Sequence, residues 1–253
     1  MGAAVSSGST AVVGGLNPAT LCETTPVLLQ FLVQDIAYLV TEYLFSPERF
    51  GAAQWLHWFG VNVGPEPKFP REIILFWNEP GVSEMYLPPV LCPEFIGDQP
   101  FNLRLLEQIV RTPRNGGKPS NYACSSRALE QHQDTSAGAA CWLVMKKGVE
   151  ARGKLYAEQV AWIQSSLVSH EARTSVLHLA TVVFTRHVMT GEFHLGNTTG
   201  QEMRYTYGRC QECVRYGADS YSLIVGGFSS NGLFIGSSST DDIINGVVAL
   251  RKF

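Results

Sequence analysis

A chain of 253 residues that is 45% hydrophobic and 16% charged has material for a large core, which excludes wholesale disorder. The balance of 19 basic against 22 acidic residues leaves a net charge of −3, with no basic surplus of the kind a dedicated nucleic-acid binder carries. The longest apolar run, residues 27–44, is interrupted by Asp35 and Glu42, so no transmembrane segment is expected.

Residues 1–18 are rich in Gly, Ala, Ser and Thr and read as a flexible tail. Gly2 with Ser6 fits the N-myristoylation pattern, making Gly2 a candidate lipidation site. A single acyl chain anchors weakly, and no polybasic patch follows to help it. The first fifteen residues lack the basic start and apolar centre of a signal peptide. The six cysteines are therefore expected to be reduced thiols, and the location cytoplasmic.

A helix is predicted from Pro26 to Phe45, with Thr24 or Thr25 as its cap and Pro26 at a first-turn position, where its missing N–H costs nothing. Apolar residues at 28, 29, 32, 36, 39, 40, 43 and 44 keep helical spacing. Ser46-Pro47-Glu48 then starts a second helix that carries Phe50, Trp55 and Trp58 and ends near Gly60. The proline-rich run 64–70 reads as a boundary between a helical head, 19–60, and a body, 61–253. Trp55, Trp58 and Trp77 are expected to be buried near that junction.

In the body, helices are predicted over 71–77, 103–111 (capped by Asn102), 121–133, 155–168 and 172–189. Strands are predicted over 85–91, 141–145, 203–207, 221–225, 233–235 and 247–252, with turns at Gly226-Gly227 and Asn231-Gly232. Strands, then helices, then a β-rich end imply an α+β fold.

Leu32, Asp35, Ile36, Leu39, Val40, Tyr43, Leu44, Pro47, Glu48 and Phe50 follow the residue order of an F-box, the helical module that docks adaptors onto ubiquitin ligases. The stretch resembles that family with two departures: Val33 replaces the usual proline, and Phe45 lengthens the turn by one residue. The resemblance implies a protein partner, the linker subunit of a cullin-type ligase, bound through Ile36, Leu39, Val40, Tyr43, Leu44 and Phe50. Roughly residues 55–253 resemble a second group, proteins of amoeba-associated chlamydiae, some with an F-box-like head. The likeness rests on Trp58-Phe59-Gly60, Tyr156-Ala157-Glu158-Gln159, the runs 205–212 and 225–233, and the ending 248–253. It implies an intracellular interaction protein and transfers no catalytic residue.

Other constellations carry less. Cys210-x-x-Cys213 lacks the second ligand pair of a structural zinc site. Cys141-Trp142 resembles the nucleophile pair of papain-like and transglutaminase-like enzymes, where a histidine takes the thiol proton. His170, His178, His187 and His194 are the candidate bases, although Cys141 opens a strand-like segment rather than a helix. Gly226 to Gly232 lacks the lysine and helix of a phosphate loop. The expected function is thus a non-catalytic adaptor without a cofactor. The alternatives are a structural or assembly protein that buries the same head face, and a cysteine hydrolase using Cys141.

Overall fold

The chain divides into two compact units, Met1–Leu44 and Phe45–Phe253. A computed structural model describes Val33, Ile36 and residues 49–253, apart from 125, 167–173 and 197–205. Val33 and Ile36 are helical, in keeping with the helix expected over Pro26–Phe45. The rest of that helix, with Leu39, Val40, Tyr43 and Leu44, lies outside the described residues, as do the tail and Gly2.

The second unit is the α+β body, and it begins earlier than the proline-rich run suggests. Its first helix, α1 (Ala52–Phe59), belongs to this unit and not to a separate head. Trp55 and Phe59, four residues apart on one face, are buried, and Gly60 ends the helix in the left-handed region at φ 69°. Phe50 precedes α1 in extended backbone, as a parallel bridge to Val90. Its N–H donates to the Pro89 carbonyl (2.8 Å) and its carbonyl accepts from the Leu91 N–H (2.8 Å).

Helix α2 (Arg71–Trp77) agrees with expectation and buries Ile73, Ile74, Phe76 and Trp77. The strand expected over 85–91 is shorter and later. Met85 closes a one-turn helix, α3 (Val82–Met85), and the strand β1 is Val90–Cys92. Tyr86 makes an isolated antiparallel bridge to Lys146 and the Leu87 N–H donates to the Met145 carbonyl at 2.8 Å, but Pro88 and Pro89 have no N–H to give and interrupt the ladder until Val90. A two-residue hairpin, β2 (Phe95–Ile96) with β3 (Gln99–Pro100), leads into α4 (Leu103–Arg111). The Asn102 side chain caps α4 by accepting from the Leu105 N–H at 2.9 Å, and Leu103, Leu106 and Val110 bury one stripe. The helix expected over 121–133 contracts to α5 (Arg127–His132). Ser126 stops it from extending backwards: its hydroxyl accepts from the Leu129 N–H (3.1 Å) and donates to the Ile235 carbonyl (2.6 Å).

The buried strand expected at Cys141 is β4 (Cys141–Met145). Two helices follow, α6 (Tyr156–Ser166) and α7 (Val176–Thr190). Helix α7 is buried nearly all round, which explains its lack of a polar stripe. Thr181 and Thr185 survive burial because each hydroxyl donates to a carbonyl one turn back, of Leu177 and of Thr181, both at 2.7 Å.

The β-rich end comprises β5 (Tyr207–Tyr216), β6 (Asp219–Ser229), β7 (Gly232–Ser238), β8 (Gly246–Val247) and β9 (Leu250–Lys252). Two sheets result. One has the order β1-β4-β9, antiparallel throughout; the other has the order β7-β6-β5-β8, with β8 parallel to β5. The stretch 247–252, expected as one strand, therefore crosses from one sheet to the other. The β6–β7 hairpin turns one residue earlier than expected, at Ser230-Asn231, since Gly232 already pairs with Ser229 as the first residue of β7, and Gly226-Gly227 lies inside β6. The register shifts between Gly226 and Ser229, and Gly227 has φ 56°. A Cβ on Gly226 would strike the Thr206 carbonyl, so glycine there serves close strand approach and not a turn. Helix α7 packs against strands of both sheets. Among the described residues no helix is long and apolar enough to cross a membrane.

Candidate functional site

The candidate docking residues separate. Ile36 is 58% exposed and Val33, three residues before it, is 59% exposed. Phe50 is a correction: it is 0% exposed, wedged edge-on to Trp55 at 5.4 Å between ring centroids. An apolar ring locked into the body core presents nothing to a partner, so the candidate docking face ends before residue 45. Trp55 and Trp77 are buried within the second unit, whereas Trp58 is only partly buried.

The cysteines divide in an unforeseen way. Cys210 is buried and Cys213 exposed, and both sit in β5, where the register shifts between Arg209 and Cys213. Among the described residues, no three His, Cys, Asp or Glu side chains gather as a metal site. Cys141 instead lies directly across from Cys92 in the β1–β4 ladder. Both thiols are buried, at 4% and 0% exposure. Residues paired across antiparallel strands project to the same face. On that face His178 and Thr181 of α7 are the polar neighbours, and Lys252 of β9 supplies a cation nearby.

The cluster polarises its two thiols in opposite directions. The Cys92 thiol, as hydrogen-bond donor, holds Cys141 down to about 5; His178 and Lys252 act in the same sense against the opposing effect of burial. Burial pushes the Cys92 thiol up, and its neighbour Cys141 adds to the rise. Neither ring nitrogen of His178 makes a regular hydrogen bond to a partner among the described residues, yet the ring stands close enough to Cys141 to favour its thiolate. The other candidate bases stand apart. His187 contacts the Glu192 carbonyl at 3.1 Å and packs against Phe193 and Phe228. The His194 ring has its basicity lowered by burial, and His170 lies outside the described residues.

This arrangement gives an acidified thiol beside a base, but not the geometry of a hydrolase. Cys141 opens a strand, not a helix, and its side chain lies beneath α7, where an acyl substrate has no room to approach. A cleft of about 460 Å³ touches Ala140 and Glu94, close to the backbone at either end of the pair. Sequence patterns single out Cys141 for its Cys-Trp neighbourhood. They miss Cys92, because only strand register joins residues 49 apart (141 − 92).

A second polar centre anchors the loop between β7 and β8. The Arg209 guanidinium, 1% exposed, donates to the Thr240 carbonyl at 3.0 Å and to the Asp242 carbonyl, and lies 5.4 Å from the Tyr156 ring centre. The Gln159 amide donates to the Asn245 carbonyl at 2.6 Å, and Asn245 in turn donates to Asp242 Oδ2 at 2.9 Å. The Asp242 carboxylate also accepts from the Ser238 hydroxyl (2.7 Å) and the Ile244 N–H (3.0 Å). These donors, Ser238 foremost, hold the Asp242 carboxyl below its ordinary value. A depressed folded-state value means stability that is complete above the unfolded carboxyl's value of about 3.9 and is lost as pH falls through the folded one. Asp242→Asn is therefore expected to flatten the acid limb of stability measured by urea titration at successive pH values. An unchanged acid limb would show that these bonds carry no linkage.

Comparison of the chain with protein-family models, with curated proteins and with solved structures finds no match.

Proposed function

We propose that this protein is a non-catalytic interaction protein whose first unit, Met1–Leu44, docks onto a protein partner. The observation that carries this reading is the exposure of Val33 and Ile36. Two apolar side chains three residues apart share one side of a helix. At 58–59% exposure they forgo roughly half of the 1.5–3 kcal/mol that full burial of each would contribute. An amphipathic helix laid into an apolar groove recovers that energy. The F-box resemblance supplies the partner, the linker subunit of a cullin-type ubiquitin ligase, with Ile36, Leu39, Val40, Tyr43 and Leu44 as the contact face. The second unit is then the carrier that the docking unit brings to the ligase.

The test is titration of the purified linker subunit with the full chain and with Ile36→Asp. Ile36 is exposed, so the substitution leaves no cavity in the core. Saturable binding by the wild type, weakened about thirtyfold or more in the variant, is the expected result for a hot-spot residue. Absence of wild-type binding overturns the partner assignment. Self-association that Ile36→Asp abolishes, without linker binding, supports an assembly protein instead.

A further inference from the structure

We propose that Cys92 and Cys141 form a reversible disulfide across the β1–β4 ladder, made by a peroxide and undone by a thiol reductant. The inference is independent of the docking role.

Backbone register is the first argument. Trp142 exchanges both of its hydrogen bonds with Phe253 on the β9 side, at 3.0 and 3.1 Å. Alternation along a strand then turns the N–H and C=O of Cys141 toward β1, which makes Cys92–Cys141 a hydrogen-bonded antiparallel pair. Such pairs stand with Cα atoms about 5.5 Å apart, inside the 4.4–6.8 Å span that disulfides occupy, while their Cβ atoms, also about 5.5 Å apart, must draw together by about 1 Å for the bond to form. Cys124, Cys210 and Cys213 have no cysteine opposite them in the described ladders.

The surroundings are the second argument. A buried imidazole with both nitrogens unpartnered is costly in a core and calls for a reason. Beside a dithiol, His178 has one: it accepts the Cys141 proton as the thiolate forms. Lys252, paired in register with Leu143 two residues along β4, provides positive charge on the same side. The cleft at Ala140 and Glu94 adjoins the pair along the chain, but neither cysteine lines it, so peroxide reaches the thiols only when the β1–β4 pair opens locally.

The chemistry balances in two steps. The Cys141 thiolate attacks one peroxide oxygen, the O–O bond breaks, and the leaving hydroxide takes the proton held by His178 to become water. The sulfur is now a sulfenic acid. The Cys92 sulfur then attacks it, the S–S bond forms, the S–O bond breaks, and a second water leaves with the Cys92 proton. Two thiols have been oxidised and one peroxide reduced to two waters.

The experiment treats the full chain, in a Cys124→Ser/Cys213→Ser background, with hydrogen peroxide, denatures it in alkylating reagent and digests it without reduction. The expected product is a linked pair of peptides containing Cys92 and Cys141, two hydrogens lighter than the sum of the free peptides and abolished by dithiothreitol. His178→Gln should form the link about tenfold more slowly, in step with a thiol that ionises less readily. Full alkylation of both cysteines after peroxide overturns the proposal, and so does conversion of Cys141 to a sulfinic acid with Cys92 still alkylated. The wild-type background measured in the same way shows the same link even if a variant fails to fold.

Discussion

Trp55→Ala is expected to destabilise the body by about 3–5 kcal/mol, the range for deleting a buried large aromatic. Trp55 is fully buried against Phe50, Phe59 and Phe101, with ring centroids 5.3–5.7 Å away, so truncation leaves a cavity among those three rings. Its indole N–H also donates to the Leu91 carbonyl at 2.9 Å. Phe50 sits along the same edge of β1, so the indole completes the hydrogen bonding where the added residue stops. Trp55→Phe separates the two contributions. It keeps most of the ring and strands a buried carbonyl, at about 1–3 kcal/mol. Urea unfolding reads both variants. If Trp55→Phe matches the wild type, the edge carbonyl has found water and the indole N–H contributes nothing to stability.

Arg209→Ala is expected to cost about 2–5 kcal/mol, because it strands the carbonyls of Thr240 and Asp242 inside the structure. Arg209 is unusual among the buried residues in carrying a charge whose direct partners are carbonyls; burial lowers its basicity, and the carboxylate of Asp242 offsets part of this. The fork of the guanidinium spans two carbonyls at once, so Arg209→Lys should recover only part of the loss. Amide hydrogen exchange will distinguish local from global effects. Residues 239–246 should lose protection in Arg209→Ala at denaturant concentrations where α4 keeps its own. Unaltered protection of that loop would show that Gln159 and Asn245 hold it unaided.

The α+β class and much of the element order were legible from residue pattern alone, wherever the signal was local. Asn102 as a cap, the periodicity of 103–111 and the apolar run 141–145 all act within a few residues, and the structure bears them out; the Asn231-Gly232 turn falls one residue earlier, at Ser230-Asn231. Errors arose where a distant group competed. Ser126 shortened a helix by bonding to Ile235, and Gly226 serves the approach of the Thr206 backbone. Phe50, which local order assigned to a docking face, was captured by β1 forty residues further on. The dithiol was illegible for the same reason. Cys92, Cys141 and His178 come from two strands and a helix, and nothing in their separate neighbourhoods encodes the register that joins them. By itself the sequence determined the segments whose capping and periodicity are short-range, such as Leu103–Arg111 and Cys141–Met145, but not the bounds of the strands at Val90–Cys92 and Tyr207–Tyr216. Only the tertiary structure decided which apolar residues are core and which thiols meet, because burial and strand pairing depend on contacts made across the whole chain.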